Sequence, residues 1–293
     1  MSRTTSPAPP LDTSEREPES ARADKQNVDE SITDKPTFIH PTAIVHEAAR
    51  VGVGCYIGAY CIVGAQVTLG GRVRLESHCH IDGDTTIADD THVFPFVSIG
   101  LAPQDLKYAG EPTSTRIGRR NSIREFVTVH RGTAGGGGRT EIGDDCLLMA
   151  QAHVAHDCFI GDRVIMANAA TLAGHVRIET GATVGAYSGV HQFCRVGREA
   201  FVGGYSVVVK DALPFAKTVG NHARCYGLNS TGIKRRGYSK ETIAALHRAF
   251  HLLLASRLNT TQALERIEAE IVSVAEVTEL VEFIKSSSRG VVK

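Results

Sequence analysis

Tryptophan is absent from the 293 residues, methionine occurs three times, and aromatic side chains make up only 6%. A core must therefore be built from aliphatic and small side chains. The hydrophobic content of 42% supplies enough of them for one large domain, or a domain with a small appendage. Excess charge is also lacking: 32 Lys and Arg offset 32 Asp and Glu, a formal net charge of 0. Such a chain is not built for bulk nucleic-acid binding, whose affinity comes from neutralising phosphates. No apolar run approaches the roughly 18 residues of a membrane helix. Seven cysteines are an odd number and no signal peptide precedes them, so a reduced, cytoplasmic protein is the simplest reading.

Residues 1–36 are rich in Ser, Thr, Pro and Glu and poor in large apolar side chains, so they read as a disordered tail. Acids such as Glu15, Glu17 and Asp24 count against an organelle-targeting peptide. Beyond the tail the chain becomes a long repeat. Stepping by six from Ile39 lands on Val45, Val51, Ile57 and onward to Ile99. The series resumes at Ile117, Ile123 and Val129, and again from Ile142 to Val202. All twenty-five landings are apolar. The next position is often glycine, as at Gly52, Gly58, Gly118 and Gly143, which suggests relief of turn strain. Four residues after a landing the side chain is small or β-branched, and six cysteines (Cys55, Cys61, Cys79, Cys146, Cys158 and Cys194) occupy that position as interior packing groups.

A short strand and a sharp turn every six residues, three to a coil of 18, make a left-handed parallel β-helix. Twenty-five hexads give about eight coils and a prism roughly 40 Å long. From Tyr238 the period turns helical: Ile243, Leu246, Phe250 and Leu253, then Leu264, Ile267 and Ile271, then Val277, Leu280, Val281 and Ile284. Asn259 with Gln262 three residues later is a helix-start signal. The chain thus divides into a tail (1–36), a β-helix (37–225) and a small C-terminal helical domain of three helices (226–293).

Residues 18 apart stack on one face, so the hexads opened by Val154, Leu172 and Val190 lie above one another. The Val129 hexad joins them if its extra residues bulge out. These hexads carry His130, His156, His175 and His191, and His153 sits just before them. Five of thirteen histidines on one edge point to a site, walled by the insertions near 101–116 and 131–141. No two histidines of the repeat are five apart, the spacing of the metal-binding pair in carbon dioxide-hydrating hexapeptide proteins, so no metal is expected. His156 followed by Asp157 suits general-base work, with no Ser or Cys nucleophile evident beside it. An amide N–H near Gly174 could face an oxyanion.

The stretches QDLKYAGEPT (104–113), VHRGT (129–133), AHVAHDC (152–158), TLAGHV (171–176), VHQFC (190–194), GNHA (220–223) and IKRRG (233–237) resemble the UDP-N-acetylglucosamine O-acyltransferases that open lipid A synthesis. The resemblance runs from about Phe38 to the C-terminus. It implies transfer of a (3R)-3-hydroxyacyl chain from acyl carrier protein to the 3-hydroxyl of UDP-N-acetylglucosamine, in a homotrimer with sites between neighbouring prisms and no cofactor. By resemblance, His156 is the base with Asp157 beside it, and Gly174 faces the oxyanion. Asp105, Lys107, His130, His153, His175, His191 and Gln192 hold the sugar and the acyl donor. Asn229, Arg235 and Arg236 hold the nucleotide and its phosphates, for which the guanidinium fork is suited. Gly204 and His222 line the end of the acyl pocket. One departure stands out: Thr231 occupies a place where the family pattern has an acidic residue. Two alternatives stay open, an N-acyltransferase acting on an amino sugar nucleotide and a purely structural β-helix.

Overall fold

The computed structural model describes residues 36–271 and 274–293; apart from Pro36, the tail expected over 1–36 lies outside them. The hexad landings all fall in short strands, which stack into three sheets of eleven, nine and eight strands, parallel throughout except for the last strand of the first, Arg224–Leu228, which is antiparallel to Ala216–Val219. These are the first, second and third faces of a left-handed parallel β-helix, the fold the hexads imply. Each landing pairs with the landing one coil on: Ile57 with Leu75, Val63 with Ile81, Leu69 with Ile87. Strand side chains alternate between faces of the sheet, so the landings point inward while their predecessors point out. The interior column is aliphatic, and the six cysteines expected in it are buried and free. Val208 and Ala212 carry the stack past Val202, where the hexad series stops.

The corners explain the glycines differently from the expectation. The third residue after a landing takes the left-handed conformation, and most such residues are not glycine: Tyr60, Arg72, Asp90, Phe126 and Asp157 have φ between 56 and 61°. The glycines directly after a landing mostly have ordinary φ. Their constraint is crowding between coils. A Cβ on Gly52 would lie 2.3 Å from the Gly70 carbonyl oxygen, and one on Gly143 would lie 2.4 Å from Asp162 Oδ1.

Four helices complete the chain where three were expected: α1 (Ser230–Arg235), α2 (Lys240–Leu254), α3 (Thr260–Glu270) and α4 (Ala275–Lys285). The extra helix is α1, which takes in the first three residues of IKRRG and is too short to show a period. Asn259 and Gln262 form the capping box that starts α3. Leu213 and Phe215 at the end of the prism share a core with Ile233, Leu246 and Leu280 of the helices. Arg198 ties prism to helix, reaching Glu279 of α4 at 2.6 Å and the Tyr238 hydroxyl at 3.1 Å. Among the described residues no helix is long and apolar enough to cross a membrane.

Candidate active site

The four hexads of the histidine edge do stack on the second face: Val129 on Val154, Val154 on Leu172, Leu172 on Val190. The site is built along the corner between the second and third faces. Both insertions leave from there, residues 102–113 after the strand Ser98–Leu101 and residues 131–138 after Thr128–His130.

His156 and Asp157 sit in the turn after Val154. The Asp157 side chain is fully buried. Its Oδ2 lies 2.8 Å from His156 Nδ1 and accepts the Thr133 hydroxyl at 2.6 Å, while Oδ1 accepts the Thr133 amide at 2.9 Å. A carboxylate can only accept, so His156 donates from Nδ1, and in the neutral imidazole the lone pair is then on Nε2. Thr140 accepts the Asp157 amide at 2.8 Å. The 131–138 insertion therefore clamps the aspartate from above. A Cβ on Gly136 would lie 2.1 Å from that carboxylate.

Gly174 passes directly beneath the imidazole, where a Cβ would stand 2.5 Å from His156 Cε1 and 2.7 Å from Nε2. Among the described residues its amide N–H has no hydrogen-bond partner. His175 meets His156 edge-on at 5.0 Å between centroids and stacks flat on Phe193 at 4.4 Å. His130 and His153 form a second edge-on pair at 5.1 Å, and His153 Nδ1 lies 2.7 Å from the Thr128 hydroxyl. Burial, then the neighbouring His153 and His156, push the His130 imidazole down to about 4. Burial and His156 lower His153 in the same way. Burial also lowers His175, against the upward pull of Asp157 and Asp105. Asp105 on the 102–113 insertion is thus close enough to act on the histidine corner. Its Oδ1 accepts the Lys107 amide at 3.0 Å, which shapes that turn.

His156, Asp157 and His175 each offer a ligand atom within 4.8 Å of the others, the one such group among the described residues. Two bonds from Thr133 and one from His156 already occupy the Asp157 oxygens. That donor set suits a hydrogen-bonded acid–base pair better than a cation.

His191 and Gln192 stand in the turn after Val190 on the same corner, and the other expected residues lie elsewhere. His191 contacts Gln192 O at 3.2 Å and Arg289 Nη2 at 3.3 Å rather than another histidine. Arg235 and Arg236 line a cavity of about 400 Å³ with Gly181, Glu199 and Lys217. Gly181 and Glu199 belong to the corner between the third and first faces, a different edge of the prism. Asn229 lines the same cavity and also serves the structure: its side chain accepts Gly232 N–H to cap α1 and donates to Glu199 O at 3.1 Å. His222 lines another cavity of about 570 Å³ with Lys210 and Lys293 at the end of the prism, and Gly204 is not among the residues around it. Gly204 stands at the first–second corner, against Ala186. Sequence reasoning gives no role to Thr133, Phe193 or Glu199. The first two sit inside quoted motifs; Phe193 lies 18 residues from His175, a signal the period offers, whereas Thr133 lies in an insertion that keeps no period.

A family model described as UDP N-acetylglucosamine O-acyltransferase, domain 2, matches residues 211–292. LpxA from Acinetobacter baumannii is 42% identical, with a TM-score of 0.84 over 87% of this chain and 99% of that one. LpxA from Bacteroides fragilis, a UDP-N-acetylglucosamine acyltransferase, is 36% identical with a TM-score of 0.86 over 87% and 100%. The Arabidopsis UDP-N-acetylglucosamine acyltransferase is 33% identical, at 0.78 over 87% and 100%. A shared β-helix, a shared helical end and identities of this size along nearly the full length of the relatives place the chain in the UDP-N-acetylglucosamine O-acyltransferase family, and it is an acyltransferase.

Proposed function

We propose that the protein transfers a (3R)-3-hydroxyacyl chain from acyl carrier protein to the 3-hydroxyl of UDP-N-acetylglucosamine, the opening step of lipid A synthesis. The observation that carries this reading is the His156–Asp157 pair at 2.8 Å, with Gly174 beneath the imidazole. A sugar hydroxyl is a poor nucleophile and must lose its proton as it attacks. Nε2 of His156 takes that proton while the oxygen bonds to the thioester carbonyl carbon. The Gly174 N–H faces the oxyanion. As the C–S bond breaks, His156 returns the proton to the departing thiolate. Asp157 holds the tautomer and balances the imidazolium, and Thr133 holds Asp157. His130 and His153, kept neutral by burial, bind the sugar and donor as uncharged partners, with His175, Asp105 and Lys107 at the mouth.

The working form is a homotrimer. The histidine corner and the arginine cavity lie on different edges of one prism, so one substrate spans them only if a neighbouring copy supplies the second edge. The remaining edge, between the first and second faces, is an exposed aromatic ladder. Tyr60, His78, Phe96 and Phe126 succeed one another at 5.1, 4.8 and 5.1 Å, and Tyr187 stacks on Tyr205 at 5.2 Å further along. Three prisms closed with that edge on the axis set the histidine corner of one against the arginine cavity of the next.

The test is turnover with 3-hydroxyacyl carrier protein and UDP-N-acetylglucosamine, read by product mass. An ester at the sugar supports the reading. Product from a 3-amino sugar nucleotide alone, as an amide, replaces the acceptor.

A further inference from the structure

The arginine cavity holds one carboxylate, and it comes from the prism rather than the helix. We infer that Glu199 is a positioning residue for the nucleotide, its carboxylate and the Gly181 carbonyl holding the Arg236 guanidinium so that its free amino group meets a phosphate. This rests on the function proposed above, with the arginine cavity taking the nucleotide diphosphate as the resemblance implies for Arg235 and Arg236.

Arg236 Nε lies 3.2 Å from Glu199 Oε2, and Arg236 Nη2 donates to Gly181 O at 3.2 Å. Two sides of the fork are thus fixed. Among the described residues Nη1 makes no hydrogen bond, and Arg236 lines the cavity. Glu199 is itself held firmly: its side chain is only 8% exposed, its backbone is left-handed, and its carbonyl accepts Asn229 Nδ2 at 3.1 Å. The same asparagine caps α1, whose C-terminal cap is Arg236, so the turn bearing the guanidinium and the turn bearing the carboxylate share one bracket. Gly181 completes the arrangement. A Cβ there would lie 2.4 Å from Glu199 Oε1, so the space the carboxylate fills exists because position 181 has no side chain.

The charges agree with a diphosphate. Lys217, Arg235 and Arg236 against Glu199 leave the lining at 3 − 1 = +2, opposite to the charge of about −2 on a diphosphate diester. Thr231, at the entry to α1, lines the same cavity and brings no charge. Holding the guanidinium before the ligand arrives removes an ordering cost from binding, and the gain appears as nucleotide affinity rather than as rate.

The experiment uses the full chain with UDP as the calorimetric probe, then steady-state kinetics. Glu199→Gln should weaken UDP roughly tenfold and raise the KM for UDP-N-acetylglucosamine by a similar factor. Its kcat and its KM for acyl carrier protein should stay within about twofold of the parent. Adding Thr231→Glu should recover most of the lost affinity, since it returns a carboxylate to the cavity from the helix side. If Glu199→Gln loses its fold, Glu199→Asp keeps the charge, shortens the reach, and should show the same loss of UDP affinity. Unchanged UDP binding in a folded variant, or a fall in kcat alone, overturns the positioning role. Arg235→Ala and Arg236→Ala separate the two proposals. If both bind UDP like the parent, the nucleotide reading of the cavity fails. If they weaken it and Glu199→Gln does not, only the inference about Glu199 fails.

Discussion

At the scale of single residues, the proposed mechanism rests on one proton acceptor and what aims it. His156→Ala should fold and bind UDP yet lose at least about a hundredfold in kcat, the usual effect of removing a general base. A folded variant within tenfold of the parent would move the role to His153. Thr133→Val removes a hydroxyl bond to Asp157 and keeps the shape. It should lower kcat by about tenfold with little change in either KM, since a charge-assisted bond of that kind contributes about 1.5–3 kcal/mol. Equal kcat values would mean the amide bond from Thr133 suffices. His130 also affects stability. Its folded pKa of about 4 lies below the ordinary 6.5, so below pH 6.5 the unfolded chain takes up a proton that the folded chain refuses. Stability should fall as pH drops through that window and level off near pH 4. His130→Gln should flatten this part of a plot of denaturation midpoint against pH. An unaltered plot would place the acid sensitivity elsewhere.

At the scale of elements, the repeat is legible because each strand is two or so residues long and each turn is closed within the hexad. Nothing distant decides where Ile57 or Val154 points. The glycines are legible as a pattern but not as to cause, since the crowding at Gly143 comes from the coil above and not from its own turn. Gly143→Val should therefore lower stability by about 1–3 kcal/mol through overpacking. Gly135→Ala, with nothing within 4 Å, should cost far less in the same urea titration. Equal effects would mean the coils give way easily. The histidine corner is legible for the same reason as the strands, because the 18-residue period adds up. The Thr133–Asp157 clamp is not, because it crosses 24 residues through an insertion that keeps no period. The family resemblance gives Asn229 a place beside the nucleotide, and the structure adds a second task. Its capping bond to Gly232 depends on α1, a helix too short to announce itself.

At the scale of the whole molecule, the three edges of the prism carry three kinds of surface: histidines, ion pairs such as Arg72–Asp90 and Arg120–Asp145, and exposed aromatics. Phe96→Glu combined with Phe126→Glu puts like charges at the axis of the proposed trimer. Sedimentation should then show monomer, and turnover should collapse while circular dichroism keeps its β signal. A trimer that survives the double change would place another edge on the axis. The two insertions have a consequence of a different kind. Ile87 pairs with Ile117 and Ile117 with Ile142, although 30 and 25 residues separate them instead of 18. The stack records height and ignores how much chain was used to climb. A corner therefore works like a parenthesis in a sentence: text of any length can be placed inside it while the grammar on either side still agrees, whereas one extra residue between corners would garble every line above. Both parentheses open at the histidine corner, so the part of the molecule proposed to meet substrate is also the part that can be rewritten without disturbing the rest.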